Sequence, residues 1–195
     1  MFPNIKIFLA SKSPRRKQIL ETADFNVELV EQEVDESIEE VIETSYTAEY
    51  LAIKKANYID ISLLENEFLI TADTIVIIDG LIYGKPTSPE KAVEMLLGLS
   101  NKVHEVITGV CIKSDSRMMH FSESSMVYFD TITPEEAAYY VNKYSPMDKA
   151  GAYAIQEWIG YCKIKKIEGT FTNIMGLPMN RIYSILKGFL KKITC

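Results

Sequence analysis

The segment Ser11-Lys12-Ser13-Pro14-Arg15-Arg16 puts two hydroxyls and three cationic side chains into six consecutive positions. It follows Ile5 to Ala10, apolar from Ile7 onward, which reads as a buried strand. Ser13 suits a helix N-cap and Pro14 the first helical turn. A helix N-terminus presents unpaired backbone N–H groups and a partial positive charge. Serine hydroxyls add donors, and the forked guanidinium donors of Arg15 and Arg16 match phosphate oxygens. Arginines in a first turn oppose the helix dipole, so an anion there would relieve them. The alternative is a capped helix whose arginines are simply solvated.

Further along, four features could join such a site. In the stripe Ala48, Leu51, Ala52, Lys55, Ala56, Ile59, spaced for one helix face, Lys55 is the only charge. A lysine on an inward face needs either a route to water or an anionic partner. Thr71-Ala72-Asp73-Thr74 heads a strand, and Gly84-Lys85-Pro86 follows the hairpin turn Asp79-Gly80. Folding back could bring Lys85 near Asp73, and a carboxylate beside a lysine is a pattern for hydrolysis. Read alone, an aspartate in such a segment is more often a cap or turn residue. Asp148 to Gln156, DKAGAYAIQ, is rich in small residues that let backbone approach a ligand, and Gln156 can both donate to and accept from a base edge. Its alternative is a tight turn entering a core strand. Glu36 is one acid among many in a charged segment, and by itself reads as solvated surface.

The elements that must hold these residues alternate between strand and helix, which predicts an α/β sheet protein. Strands are expected at Ile5–Ala10, Phe25–Val30, Phe68–Ile78, Leu81–Tyr83, Val103–Lys113, Met119–Thr131 and Cys162–Ile167. Helices are expected from Ser13 through Leu20, from Tyr46 to about Ile61, from Ser88-Pro89 to an end at Gly98, from Thr133 to about Lys143, and from Pro178 to Lys187. Glu31 to Thr44 reads as a loop with some helix. Thr133-Pro134-Glu135-Glu136 is a capping box with a first-turn proline.

Composition narrows the function classes. The 195 residues, 47% hydrophobic and 25% charged, suit one domain or two small lobes sharing a core. The net charge of −6 argues against a nucleic-acid track. No apolar run approaches the ~20 residues a bilayer needs, and the cations after Ala10 are in the wrong order for a signal peptide, so a cytoplasmic protein is expected. Cys111, Cys162 and Cys195 lack the spacing of a disulfide framework or a zinc knuckle. His104 and His120 are too far apart to form a helical metal pair, and His-based chemistry is not expected.

Taken in order, these segments resemble the Maf family of nucleoside triphosphate pyrophosphatases, over Leu9 to Leu186. The resembling pieces are LASKSPRRKQIL at Leu9–Leu20, VDE at Val34–Glu36, ADTIVIIDG at Ala72–Gly80, GKP at Gly84–Pro86, LSNKVHEVITGV at Leu99–Val110, DKAGAYAIQ at Asp148–Gln156 and EGTFTNIMGLP at Glu168–Pro178. The resemblance implies a single Maf-like domain over 1–195. Its expected fold is α/β and inosine-triphosphatase-like: a mixed twisted sheet with helices, and two lobes around a deep cleft. It also implies a homodimer, no membrane or nucleic-acid partner, and a divalent metal, Mg²⁺ or Mn²⁺. The implied reaction cleaves a nucleoside triphosphate between its α and β phosphates, giving a monophosphate and pyrophosphate.

Carried over by motif, Asp73 is the catalytic acid residue that activates water. Ser11, Arg15, Arg16, Lys55 and Lys85 meet the triphosphate, and Glu36 joins Asp73 on the metal side. Arg15, Thr74 and Gln156 look like the subgroup that acts on dTTP and UTP. The sister group that prefers 7-methyl-GTP tends to carry a bulky aromatic, a glutamine and a glutamate at those positions. Two residues depart from the common pattern: Lys12 replaces a small residue, and Asn101 stands for a glycine where a left-handed turn is still tolerated. The alternatives are a pyrophosphatase for 7-methyl-GTP, inosine triphosphate or another non-standard nucleotide, and a nucleotide-binding regulator linked to septum formation and cell-division arrest.

Overall fold

The structure is a computed structural model and describes residues 5–31, 34–38 and 42–191. It is a mixed α/β fold with a seven-stranded sheet. The strands are β1 (Lys6–Ala10), β2 (Asn26–Leu29), β3 (Glu67–Ile78), β4 (Leu81–Tyr83), β5 (Val103–Lys113), β6 (Met118–Phe129) and β7 (Ile164–Glu168). The helices are α1 (Pro14–Thr22), α2 (Thr47–Tyr58), α3 (Pro89–Leu99), α4 (Pro134–Tyr144), α5 (Trp158–Lys163), α6 (Phe171–Ile174) and α7 (Met179–Lys191). The sheet order is β2-β1-β3-β5-β6-β7, with β4 paired to β3. Strand β1 runs parallel to both β2 and β3, while β3–β4 and β6–β7 are antiparallel. Among the described residues no helix is long and apolar enough to cross a membrane.

The chain divides into two compact units. Unit 1 comprises 1–73, 108–123 and 176–195; unit 2 comprises 74–107 and 124–175.

In unit 1, β1 is the point where the chain reverses its direction of strand addition. It is followed through α1 by β2 on one side, and its other neighbour is β3. In open α/β sheets, ligand sites form beyond the carboxyl ends of strands at such a switch point. Ile7 and Leu9 on one face and Phe8 on the other are all buried, as expected of a strand covered on both faces. The register pairs Ala10 with Thr71, so the Ser11–Ser13 turn leaves β1 level with Ala72 and Asp73. The predicted stripe of α2 packs inward through Ala48, Leu51, Ala52 and Ala56. Gly109 of β5 makes room for the start of this helix, since a Cβ there would lie 2.2 Å from the Ala48 carbonyl carbon and the Glu49 nitrogen.

In unit 2 the core gathers Val76 and Ile78 of β3, Leu96 and Leu99 of α3, Val127 and Phe129 of β6, and Tyr140 and Val141 of α4. α4 carries the capping box read from the sequence: the Thr133 hydroxyl accepts from Glu136 N–H and the Glu136 carboxylate accepts from Thr133 N–H. The Asp79-Gly80 turn has both residues at positive φ, 51° and 78°, the signature of a tight hairpin.

Three expectations are corrected, and one short helix is added. α3 does not end at Gly98 but continues to Leu99, and Asn101 supplies the left-handed residue beyond its end at φ 54°. Gly98 is small for a packing reason, because a Cβ would come within 2.7 Å of the Tyr83 hydroxyl. Cys162 and Lys163 are not strand: they close α5, which buries Ile159, and β7 begins only at Ile164. α2 ends at Tyr58, three residues short of the expectation, after a 3₁₀ turn at Thr44–Tyr46. The one-turn helix α6, capped by Thr170, lacked the length to show a period in the sequence.

Candidate functional site

Around the switch point of unit 1, six of the nine singled-out residues lie on four segments. Ser11, Arg15 and Arg16 stand at the β1–α1 turn, Glu36 follows β2, Lys55 is on α2 and Asp73 is on β3. Ser13 occupies the N-cap of α1 with extended backbone, yet its side chain makes no capping hydrogen bond. Its own N–H donates instead to Ser11 Oγ at 3.2 Å. The Ser13 side chain therefore does not cap α1, whose N-terminal end carries the partial positive charge of any helix start.

Arg16 is a corner brace as well as a cation. Its Nε donates to the Gly176 carbonyl at 2.7 Å, and its Nη1 donates to the Ala72 carbonyl at 2.8 Å and to Ser11 Oγ at 3.1 Å. One guanidinium thus ties the helix start, strand β3 and the segment before α7. Burial pushes its pKa down, the Asp73 carboxylate pushes it back up, Arg15 lowers it further and Glu36 raises it. The four charges therefore share one field. Arg15, half-buried, sits one residue earlier in the same turn.

Lys55 resolves the question its inward position raised. Its ammonium donates to Asp73 Oδ1 at 2.6 Å and lies 2.9 Å from Glu36 Oε1. The Lys55 and Asp73 side chains are 13% and 15% exposed, so the pair is shielded yet reachable, while Glu36 is 52% exposed. Thr71 sets this geometry. It is fully buried, and its hydroxyl donates to the Ala52 carbonyl at 2.6 Å, one turn before Lys55. Thr71 and Asp73 share a strand face by the two-residue period, so pinning the first aims the second at α2. Sequence reading missed Thr71, although its place two residues before Asp73 was the available signal.

Unit 2 holds the other three. Thr74, half-buried, follows Asp73 directly and belongs to the opposite face of β3. Lys85 is exposed in the turn after β4. Gln156 ends the turn-rich segment 148–156, with its Oε1 buried and without a hydrogen-bond partner among the described residues. The two motifs meet through backbone, where Gly151 N–H donates to the Gly84 carbonyl at 3.1 Å, next to Lys85.

The histidines and cysteines keep to structural surroundings. His104 is buried, with Nε2 2.8 Å from the Tyr153 hydroxyl, and burial lowers its pKa to about 4. His120 pairs with Glu49 at 2.7 Å. Cys111 is buried and its thiol is pushed up to about 11; Cys162 is exposed; Cys195 lies outside the described residues. Among the described residues no group of three or more His, Cys, Asp or Glu side chains gathers to hold a metal. The carboxylates nearest to such a role are Asp73 and Glu36, which converge on the one Lys55 cation.

Comparison with known proteins gives the chain's relatives. The profile of the family described as Maf-like protein matches residues 6–189. A protein of Bacteroides thetaiotaomicron named dTTP/UTP pyrophosphatase is 47% identical over 184 residues, 93% of this chain and 95% of its own. Relatives with the same name from Parabacteroides distasonis and Christiangramia forsetii are 45% and 42% identical, covering 94% and 97% of this chain and 96% and 97% of their own. Among solved structures, the Staphylococcus aureus Ham1 protein aligns at 17% identity with a TM-score of 0.46, over 64% of this chain and 71% of its own. Family profile and relatives both span nearly the whole chain, and the chain belongs to the Maf-like protein family.

Proposed function

We propose that the protein is a nucleoside triphosphate pyrophosphatase acting on dTTP and UTP. The observation that carries the reading is the Lys55 ammonium shared by Asp73 and Glu36, at the carboxyl end of parallel strands and beside an arginine-bearing helix start. Relatives of 42–47% identity bear the name dTTP/UTP pyrophosphatase, which supports the same substrates here.

In this reading Ser11 and the backbone at the start of α1 receive phosphate oxygens, and Arg15 adds charge at the same turn. Arg16 holds the turn in shape through its three hydrogen bonds and contributes its positive field. Asp73 orients the attacking water and takes its proton. Lys55 holds Asp73 in place through their ion pair, and with Arg15 and Arg16 it offsets negative charge as the bridging P–O bond breaks. Thr74 and Gln156 select the pyrimidine.

The donor set suits a divalent ion. Asp73 and Glu36 are hard oxygen ligands already converging on one cation, and Mg²⁺ keeps several waters, so two carboxylates are enough. A bound Mg²⁺ or Mn²⁺ would supply Lewis-acid charge to phosphate oxygens.

The test is a panel of dTTP, UTP, GTP, ATP, 7-methyl-GTP and inosine triphosphate, each with Mg²⁺, with Mn²⁺ and with EDTA. The expected result is highest kcat/KM on dTTP and UTP and no turnover in EDTA. Preference for a purine triphosphate would overturn the substrate assignment, and full activity in EDTA would overturn the metal requirement.

A further inference from the structure

Lys149 and Glu157 bracket the turn that carries Gln156. Both are charged, yet their side chains are only 8% and 20% exposed beside the apolar core of unit 2. The Lys149 ammonium lies 2.9 Å from Asp148 Oδ1 and 3.6 Å from Glu157 Oε1. Tyr140, fully buried on α4, donates its hydroxyl to the Glu157 carboxylate and accepts the Ala154 N–H at 3.1 Å. It therefore grips the chain two residues before Gln156 and one residue after it.

The rest of the turn is fixed as tightly. Gly151 and Ala152 both have positive φ, 71° and 58°. For an alanine this conformation persists only where the surroundings over-determine it. The next side chain, Tyr153, is held at His104, and Gly151 N–H is bonded to the Gly84 carbonyl. Buried ion pairs are weak sources of stability, because desolvation offsets their attraction; a single fixed conformation is what such groups can supply.

Base chemistry gives that rigidity a purpose. Uracil and thymine present an N3–H donor beside the O4 acceptor, which a carboxamide complements with its oxygen and its NH₂. Guanine presents the same pair at N1–H and O6, only farther from the sugar. A glutamine on a yielding mount would accept both, whereas one on a fixed mount separates them by reach. We propose that Lys149, Glu157 and Tyr140 form a positioning clasp that fixes the reach of the Gln156 carboxamide and so sets discrimination between uracil or thymine and guanine nucleotides. This rests on the reading of Gln156 as the base-selecting residue.

The experiment compares kcat/KM for UTP and GTP in the parent and in the Tyr140→Phe, Glu157→Gln and Gln156→Ala variants, and in the double variants carrying Gln156→Ala. Val127→Ala, a core truncation in the same unit that is remote in sequence from the turn, controls for lost stability. The clasp predicts that Tyr140→Phe and Glu157→Gln each lower the UTP/GTP ratio at least about tenfold, the order expected for one hydrogen bond to a charged group. In the Gln156→Ala background the same changes should add less than about twofold, because coupled residues are non-additive. Val127→Ala should leave the ratio at the parent value. A ratio unchanged in both clasp variants while Gln156→Ala lowers it overturns the clasp alone. A ratio unchanged in Gln156→Ala overturns the base-selecting role and the clasp with it. Additive losses in the double variants, or an equal loss in Val127→Ala, overturn the positioning role.

Discussion

Asp73 and Lys55 act as a unit because neither is tolerable alone in its surroundings. Removing one partner of a shielded ion pair leaves the other uncompensated. Asp73→Asn keeps the volume but gives up the proton acceptor, so kcat should fall about 10²- to 10⁴-fold, the usual worth of a positioned general base. Steady-state kinetics on UTP check this, and undiminished turnover would take Asp73 out of the reaction. His104 carries a second prediction. Its pKa is about 4 in the fold against 6.5 for the free side chain, so the unfolded chain binds the proton more readily. The stability from keeping His104 neutral is complete above pH 6.5 and is lost as the pH falls toward 4, in all by about 3 kcal/mol. Denaturant titrations from pH 7 to 4 should show a loss that His104→Gln reduces; an equal slope in the variant would contradict it. At this scale, sequence reading was uneven. Arg16 and Lys55 stood out because their charges conflicted with a helix dipole and an apolar stripe. Glu36 had no such conflict and rose above its acidic neighbours only through family resemblance. Its place on Lys55 is a tertiary fact, as is the meeting of Lys149, Glu157 and Tyr140.

Strand β3 and helix α2 are the elements whose registration matters most, and Thr71 is the link between them. Thr71→Val keeps the β-branched shape and removes only the hydroxyl that donates to the Ala52 carbonyl. The expected cost in stability is about 1 kcal/mol, the net worth of one hydrogen bond. The loss in kcat should be larger than that energy implies, because Lys55 and Asp73 slip relative to each other. Urea midpoints and kinetics on the same variant check it, and a fully retained kcat would contradict the role given to Thr71. Elements with strong local signals were legible: the capping box of α4, the Asp79-Gly80 hairpin and the apolar face of α2 all formed as read. Those that depend on packing were not. Gly98 resembles a helix terminator in sequence but serves the approach of Tyr83, and the residues around Cys162 fold as helix to bury Ile159.

Across the molecule, a net charge of −6 coexists with a local concentration of cations at the β1–α1 turn, so the proposed anion site depends on placement rather than on overall charge. The family profile over residues 6–189 and relatives above 40% identity make the whole chain, not a fragment of it, the unit to which the proposed activity belongs. The most direct test of that activity is product identification by phosphorus NMR, with UTP and dTTP as substrates and the parent and Asp73→Asn proteins in parallel. The account predicts monophosphate and pyrophosphate in equal amounts from the parent, and a rate reduced by orders of magnitude in the variant. Orthophosphate with the nucleoside diphosphate, or parent-like pyrophosphate release by Asp73→Asn, would contradict it.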